Sequence, residues 1–519
     1  MFDPQTRLLI QGAPELPELD RERLPEELTK AFAAIVAFRL SLANAQGVLP
    51  DELQVKLAEF RRMAATFETM VALLPERDDR SSAAFVAAQA YHVLHLAQAI
   101  GEPNRKIPPL RANSIAPEVS ALLLFLIANQ LPDATEMARE IAKLRIPERG
   151  AASLVVDALC ALAEGRVRDI PQLLAQQTEW PDDSSDAATE ALYRRVLQGL
   201  VFFSQHVLDS QGSPDAASLA VAAFRQVQQL SLESEDWPVQ SGKDTPLPSL
   251  SAFAGPHHLA SLLIGAADYL MGAALSVVPP PDGVPPDAWQ SLIKPIAAQR
   301  PFLWPNHLEA LGKGFLRPGI SSVVSFPTGA GKTTLSVLKA ASALGLGGAV
   351  IYLAPTHALV AQTKSDLSKA FPGIPVRDSL LIEDFYAELG EEFTADNSQI
   401  VVMTPERCLA LLSLEGASFG VVRLVIFDEC HLIHPRSGGQ NRRSLDAMFA
   451  LLQLHQTAPA CDWLLLSAMM ANGVELAGWI GNLTGRECLA LTLNWKPTRQ
   501  ARGCLVYNQA DLDQLRIFL

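Results

Sequence analysis

A chain of 519 residues is long enough for two or three domains with substantial cores. With 49% apolar and only 19% charged residues, it is neither disordered nor fibrous. Its formal charge of −14 excludes a generally basic nucleic-acid coat. The acid is uneven: residues 301–519 carry 17 basic and 19 acidic side chains, which leaves −12 on residues 1–300. An acidic first half repels phosphate and suits a protein-facing or regulatory region. The six cysteines (Cys160, Cys408, Cys430, Cys461, Cys488 and Cys504) form no CxxC pair. Neither a zinc site nor a disulfide frame is readable, which fits a reducing, cytoplasmic setting. Met1 to Gly12 lacks the charged-then-apolar pattern of a signal peptide.

Residues 24–275 read as successive helices, among them Pro25–Ala45, Asp51–Leu74, Ser81–Ile100, Ser185–Leu208 and Asp215–Leu230. No fixed-period repeat stands out. His92 and His95 share a helix face but have no third ligand nearby, so they read as ordinary helix histidines. Leu259 to Val278 is apolar apart from Asp268, yet rich in Ala, Gly and Ser, and reads as a buried helix rather than a membrane span. The run Pro279-Pro280-Pro281-Asp282-Gly283-Val284-Pro285-Pro286 is a stiff break. These features divide the chain into an α-helical accessory domain over 1–278, a Pro-rich linker and lead-in over 279–300, and an α/β domain over 301–519.

Beyond the break, short apolar runs appear at Val323–Phe326, Ala349–Leu353, Ile400–Met403, Leu424–Phe427 and Trp463–Leu466, most of them separated by helical patterns. Apolar strands alternating with helices predict a parallel sheet covered on both faces. Ligands of such sheets sit beyond the carboxyl ends of the strands. The polar motifs begin at those ends.

The first motif is Pro327-Thr328-Gly329-Ala330-Gly331-Lys332-Thr333-Thr334, set between a strand and a helix. Its glycines let backbone amides turn towards phosphate oxygens, and the helix start adds its positive end. Lys332 would reach the β- and γ-phosphates of ATP, and the Thr333 hydroxyl would bind Mg²⁺. Phe326 stands where a strict phosphate loop has its first glycine. The second motif, Asp428-Glu429-Cys430-His431, closes the run Leu424–Phe427. Asp428 at a strand tip suits Mg²⁺, and Glu429 suits a general base.

The ordered set resembles the superfamily 2 helicases. PTGAGKTT is similar to their motif I, and Asp428–His431 to the DEAD/H box. Ala354 through Gln362 resembles motif Ia, Thr404 through Arg407 motif Ib, and Ser467-Ala468-Met469 motif III. The context after motif III is most like the Ski-type branch, and the likeness spans roughly residues 300–500. It implies a RecA-like fold for 301–519, a P-loop hydrolase that binds ATP and Mg²⁺, and nucleic acid, single-stranded or duplex, DNA or RNA, as partner. It also implies that Pro355, Thr356 and His357, with Thr404, Pro405, Glu406 and Arg407, lie along a strand backbone. Such contacts position a strand without reading its sequence. Ordinary helix caps are the alternative for these threonines and prolines. Ser467 and Ala468 would couple His431 to strand separation, although Met469 replaces the family's threonine. His307, within Trp304-Pro305-Asn306-His307, takes the place of the family's adenine-reading glutamine.

Motors of this kind close two RecA-like domains around ATP, the second supplying arginines. Trp495-Lys496-Pro497-Thr498-Arg499 resembles the family's crossover, and only about twenty residues follow it, too few for a domain. The expectation is therefore the ATP-binding half of a helicase or translocase, completed by a partner chain or a missing segment. The alternative is a non-motor ATP-binding regulatory or scaffold subunit. Arg442 and Arg443 read as surface basics. No membrane partner is expected.

Overall fold

The computed structural model describes residues 23–44, 50–102, 105–146, 150–176, 184–232, 253–378, 399–414, 421–433, 441–468 and 470–492. Met469, Trp495–Arg499 and Cys504 lie outside them. The first half is built from α1 (Leu24–Ala43), α2 (Asp51–Leu73), α3 (Arg77–Gly101), α4 (Pro117–Ile127) and α5 (Leu131–Leu144). It continues with α6 (Ala151–Ala163), α7 (Ile170–Leu174), α8 (Ser184–Leu208), α9 (Ala216–Leu232) and α10 (Ala254–Gly272). All ten helices contribute to one apolar core. In α4, Pro117 sits at the helix start, where its missing N–H costs nothing, and Glu118 to Ile127 are all buried. A helix apolar all round belongs inside, and α4 packs on α3, α5 and α10.

Helix α8 approaches α9 closely because Gly199 has no side chain. A Cβ there would come within 2.5 Å of the Phe224 ring. Of the apolar stretch Leu259–Val278, the part up to Gly272 lies in α10 and packs inside this core, whereas Leu275–Val277 form a separate 3-10 turn and Leu275 and Val278 belong to the second core. Among the described residues, no helix is long and apolar enough to cross a membrane.

The second half is an α/β layer structure. Its elements are α11 (Pro286–Gln299), α12 (Pro305–Gly312), β1 (Ser321–Ser325), α13 (Lys332–Gly345), β2 (Ala349–Leu353), α14 (His357–Ala370) and β3 (Val376–Asp378). They are followed by β4 (Ile400–Met403), α15 (Pro405–Leu414), β5 (Val422–Phe427), α16 (Asn441–Thr457), β6 (Asp462–Ser467), α17 (Gly473–Thr484) and β7 (Cys488–Thr492). The seven strands form one sheet in the order β3-β4-β2-β5-β6-β1-β7, with every neighbouring pair parallel.

The interior strands β2 and β4 read as continuously apolar because strands there feed two cores. In β2, Val350 and Tyr352 face the core with α11, α13 and α14, whereas Ala349, Ile351 and Leu353 face the core with α15, α16 and α17. In β6, Leu464 and Leu466 alternate with Trp463 and Leu465 in the same way. Where both faces are covered, the two-residue period of a strand leaves room for little but apolar or small side chains, such as the buried Ser321 and Ser322 of β1.

The Pro-rich stretch is not the linker its composition suggests. Val278 and Val284 are buried, and Trp289, Ile293 and Ile296 of α11 insert into the core shared with α13 and α14. The Trp289 indole N–H donates to the Val278 carbonyl at 2.8 Å, which folds the prolines back onto the helix they precede. The two halves join just before it. The Leu275 amide donates to Pro301 O at 2.8 Å and the Leu303 amide to Ala273 O at 2.7 Å. Lys294 pairs with Asp209 of the segment after α8 at 2.6 Å.

Candidate nucleotide and nucleic-acid site

The strand order places β6 between β1 and β5. With strands about 4.8 Å apart, the loop leaving β1 and the acids leaving β5 are roughly 10 Å apart at the backbone. This gap can admit a phosphate chain while letting long side chains meet across it.

On the β1 side, Thr328 and Gly329 are exposed, and α13 starts at Lys332. Gly329 and Gly331 adopt φ of +79° and +81°, the left-handed region that side chains avoid. Gly331 is doubly constrained, because a Cβ would lie 2.3 Å from His307 Nε2. Thr333 is exposed and Thr334 buried.

Lys332 Nζ reaches Glu429 Oε1 at 3.6 Å. Glu429 itself has φ of +50°, a sparsely populated conformation for a residue with a side chain and one that marks functional turns. Its other carboxylate oxygen lies 3.1 Å from His431 Nδ1. That nitrogen is also 3.4 Å from the hydroxyl of Ser467, at the end of β6. A polar chain therefore runs from the phosphate loop through Lys332, Glu429 and His431 to Ser467. Ala468 follows, half-buried.

Asp428 is held differently. Burial, and next the Glu429 carboxylate beside it, push its pKa above the usual carboxylate range, while Lys332 pulls the other way. Its Oδ1 accepts the Glu429 amide at 2.9 Å and its Oδ2 the Tyr352 hydroxyl at 3.3 Å. A carboxylate so desolvated and next to a second acid favours a cation. Thr333, exposed in the first turn of α13, carries a hydroxyl of the kind that binds Mg²⁺ beside a phosphate. Among the described residues, no cluster of three or more His, Cys, Asp or Glu could hold a metal ion.

His307 corrects an expectation. It is buried, and both ring nitrogens are taken within the chain. Nδ1 accepts the Trp304 amide at 3.1 Å, which leaves the proton on Nε2, and Nε2 donates to Gly331 O at 3.0 Å. Burial pushes its pKa down to about 4, so the ring is neutral. No edge is left for a nucleobase.

The motif Ia and Ib residues meet at the carboxyl ends of β2 and β4, which are neighbours. Thr356 and His357 are exposed, while Pro355 and Thr404 are buried and Pro405 closes the turn into α15. Both threonines cap helices. Thr356 Oγ1 accepts the Leu359 amide at 3.3 Å, and Thr404 Oγ1 accepts the Arg407 amide at 3.3 Å. The hydroxyls are thereby partly engaged, and the first turns of α14 and α15 open side by side. The Glu406 carboxylate beside them is paired within the chain. Arg443 binds it at 2.9 Å while also donating to Pro355 O at 2.7 Å. Burial works to raise the Glu406 pKa, but the Arg443 guanidinium outweighs it and keeps the carboxyl below its usual range. Arg443 is therefore more than a surface basic residue: it straps the two helix starts together.

Sequence reasoning also missed Tyr352, Asn306 and Lys339. The Lys339 ammonium, on α13, is buried and donates to the carbonyls of Phe315, Arg317 and Ile320 at 2.8, 3.2 and 2.9 Å. Burial lowers its pKa to about 8. Tyr352 lies in an apolar strand and Asn306 and Lys339 in the helices α12 and α13, and only an interior polar atom in an otherwise apolar segment would have signalled them.

A family profile described as "DEAD/DEAH box helicase" matches residues 309–476. The ATP-dependent DNA helicase Hel308 of Methanocella arvoryzae is 26% identical over 208 residues, which is 39% of this chain and 26% of that protein. The chloroplastic DExH-box ATP-dependent RNA helicase DExH15 of Arabidopsis thaliana is 30% identical over 184 residues, 34% of this chain and 14% of that protein. The crystal structure of the DUF1998 helicase MrfA bound to DNA and AMPPNP superposes with a TM-score of 0.30 at 17% identity, covering 40% of this chain and 29% of that one. The chain thus spans about a quarter of the archaeal relative's length and less of the plant one. The matched segment, which carries the phosphate loop, the Asp428–His431 box and Ser467, is similar to the DEAD/DEAH box helicase domain.

Proposed function

We propose that this domain binds ATP with Mg²⁺ and hydrolyses it when a second RecA-like domain closes across the site, driving movement along a nucleic-acid strand. The observation that carries this reading is Lys332 meeting Glu429 at 3.6 Å across the β6 gap, with Asp428 beside them. A γ-phosphate entering between loop and acid would take over Lys332 and free Glu429. Glu429 then accepts a proton from a water whose oxygen attacks the γ-phosphorus as the bond to the β–γ bridging oxygen breaks and ADP departs. Bound Mg²⁺, held through Thr333 and Asp428, would supply charge neutralisation at the phosphates. His431, between Glu429 and Ser467, links that chemistry to the strand that bears motif III. The first turns of α14 and α15, with Thr356, His357 and Arg407, form the surface for the strand backbone, where amides and helix starts accept phosphate.

The test is ATP turnover by the chain with and without single-stranded DNA and RNA, with Glu429→Gln as the blank. Strand-stimulated turnover above that blank supports the motor. Lys332→Ala should lose nucleotide binding, and Glu429→Gln should retain it. Equal hydrolysis by wild type and Glu429→Gln would defeat the mechanism. Binding without turnover by the chain alone is the behaviour of half a motor, whereas binding without turnover when a second RecA-like domain is also supplied would leave the non-motor regulatory subunit as the better reading.

A further inference from the structure

Family likeness would give the tetrapeptide Trp304-Pro305-Asn306-His307 a base-reading task, and its geometry argues for another. Asn306 is 1% exposed, and its side-chain amide donates to Ala330 O at 2.6 Å. Its carbonyl oxygen accepts the His307 amide at 3.1 Å. His307 is 2% exposed, donates from Nε2 to Gly331 O, and lies parallel to the Trp304 ring at 5.5 Å between centroids and 8° between planes. Two consecutive carbonyls of the phosphate loop are thus held from behind. In a planar trans peptide, C=O and the following N–H point in opposite directions. Fixing the Ala330 and Gly331 carbonyls towards the brace therefore turns the Gly331 and Lys332 amides the other way, towards the phosphates. Gly331 is the residue that allows the approach, since any Cβ there would collide with His307 and Trp304.

The geometry points to Asn306 and His307 as positioning residues that aim the phosphate loop, in a site that selects the triphosphate and not adenine. This rests on the nucleotide-binding reading above. The experiment measures equilibrium binding of ATP, GTP and inorganic tripolyphosphate to the full chain. Wild type should bind ATP and GTP within about threefold of each other, less than one hydrogen bond is worth. Asn306→Ala and His307→Ala should each weaken all three ligands alike, by about tenfold for a lost neutral hydrogen bond. His307→Gln, whose amide can accept from Trp304 and donate to Gly331, should restore binding without creating a preference for ATP. A strong ATP preference that His307→Ala abolishes, with tripolyphosphate unaffected, would overturn the proposal and make His307 a base reader. Failure of wild type to bind any triphosphate would overturn the nucleotide-binding reading itself. Should the variants not fold, ¹⁵N spectra of selectively labelled wild type decide. His307 should show the Nε2–H tautomer, with shifts that respond equally to ATP and GTP. A response at Nε2 to ATP alone would overturn the proposal.

Discussion

At the residue scale, the phosphate loop and the Asp428–His431 box were legible because each is a local motif whose chemistry follows from its own spacing. The His307 brace was not, because its partner carbonyl lies 24 positions away and the ring's two hydrogen bonds leave no trace in composition. That burial has a pH consequence. The folded pKa is about 4 against 6.5 for a free histidine. As pH falls through 6.5 the unfolded chain takes up the proton first, so stability is complete above 6.5 and is lost as pH drops towards 4. The limit is about 2.5 units at 1.36 kcal/mol each, or roughly 3 kcal/mol. Urea unfolding at pH 7.5 and 4.5 should show wild type losing about 2–3 kcal/mol more than His307→Gln between the two pH values. Identical losses in both proteins would mean that the ring is solvated in the folded state.

At the element scale, the strands Ala349–Leu353 and Ile400–Met403 were readable to the residue, since fully covered parallel strands are uninterrupted apolar runs. The two strands at the sheet's edges were not. β3 is three residues, Val376, Arg377 and Asp378, and edge position lets it carry charge. β7 is Cys-Leu-Ala-Leu-Thr, without the β-branched run that announces a strand. The strap between helix starts was equally hidden, because Arg443 lies 88 residues from Pro355. Its guanidinium is half-exposed, so Arg443→Ala should cost less than about 1 kcal/mol of stability. Loss of the strap should nevertheless let α14 and α15 shift apart and weaken binding of a single strand several-fold, with ATP affinity unchanged. Fluorescence anisotropy on a labelled oligonucleotide reads the first and nucleotide titration the second. Unaltered strand binding would separate Arg443 from the nucleic-acid surface. In the helical half, Gly199→Ala should destabilise by about 1–3 kcal/mol, as a methyl group is forced onto the Phe224 ring. Thermal unfolding measures it, and an unchanged midpoint would show that α8 and α9 can part freely.

At the scale of the whole molecule, the sequence reads as a helical half and an α/β half with a linker between them, because proline density signals a stiff break regardless of what the segment packs against. The packing decides otherwise. Leu275, Val278 and Val284 share a core with Trp289, Ile293 and the α13 helix that follows the phosphate loop. The residues that look like a tether are therefore part of the nucleotide domain's wall, and the helical half touches that wall through Asp209 and the strand-like pairing of Ala274 with Phe302. A fragment beginning at Ala273 keeps the whole wall, whereas one beginning at Pro286 loses three buried aliphatic side chains and the Trp289 acceptor. At about 1.5–3 kcal/mol per buried side chain, removing three is enough to unfold a marginal domain. The longer fragment should melt cooperatively and the shorter one should be insoluble or expanded. Equal melting temperatures would show that the proline segment is a tether after all, and that α11 alone covers this face of the sheet.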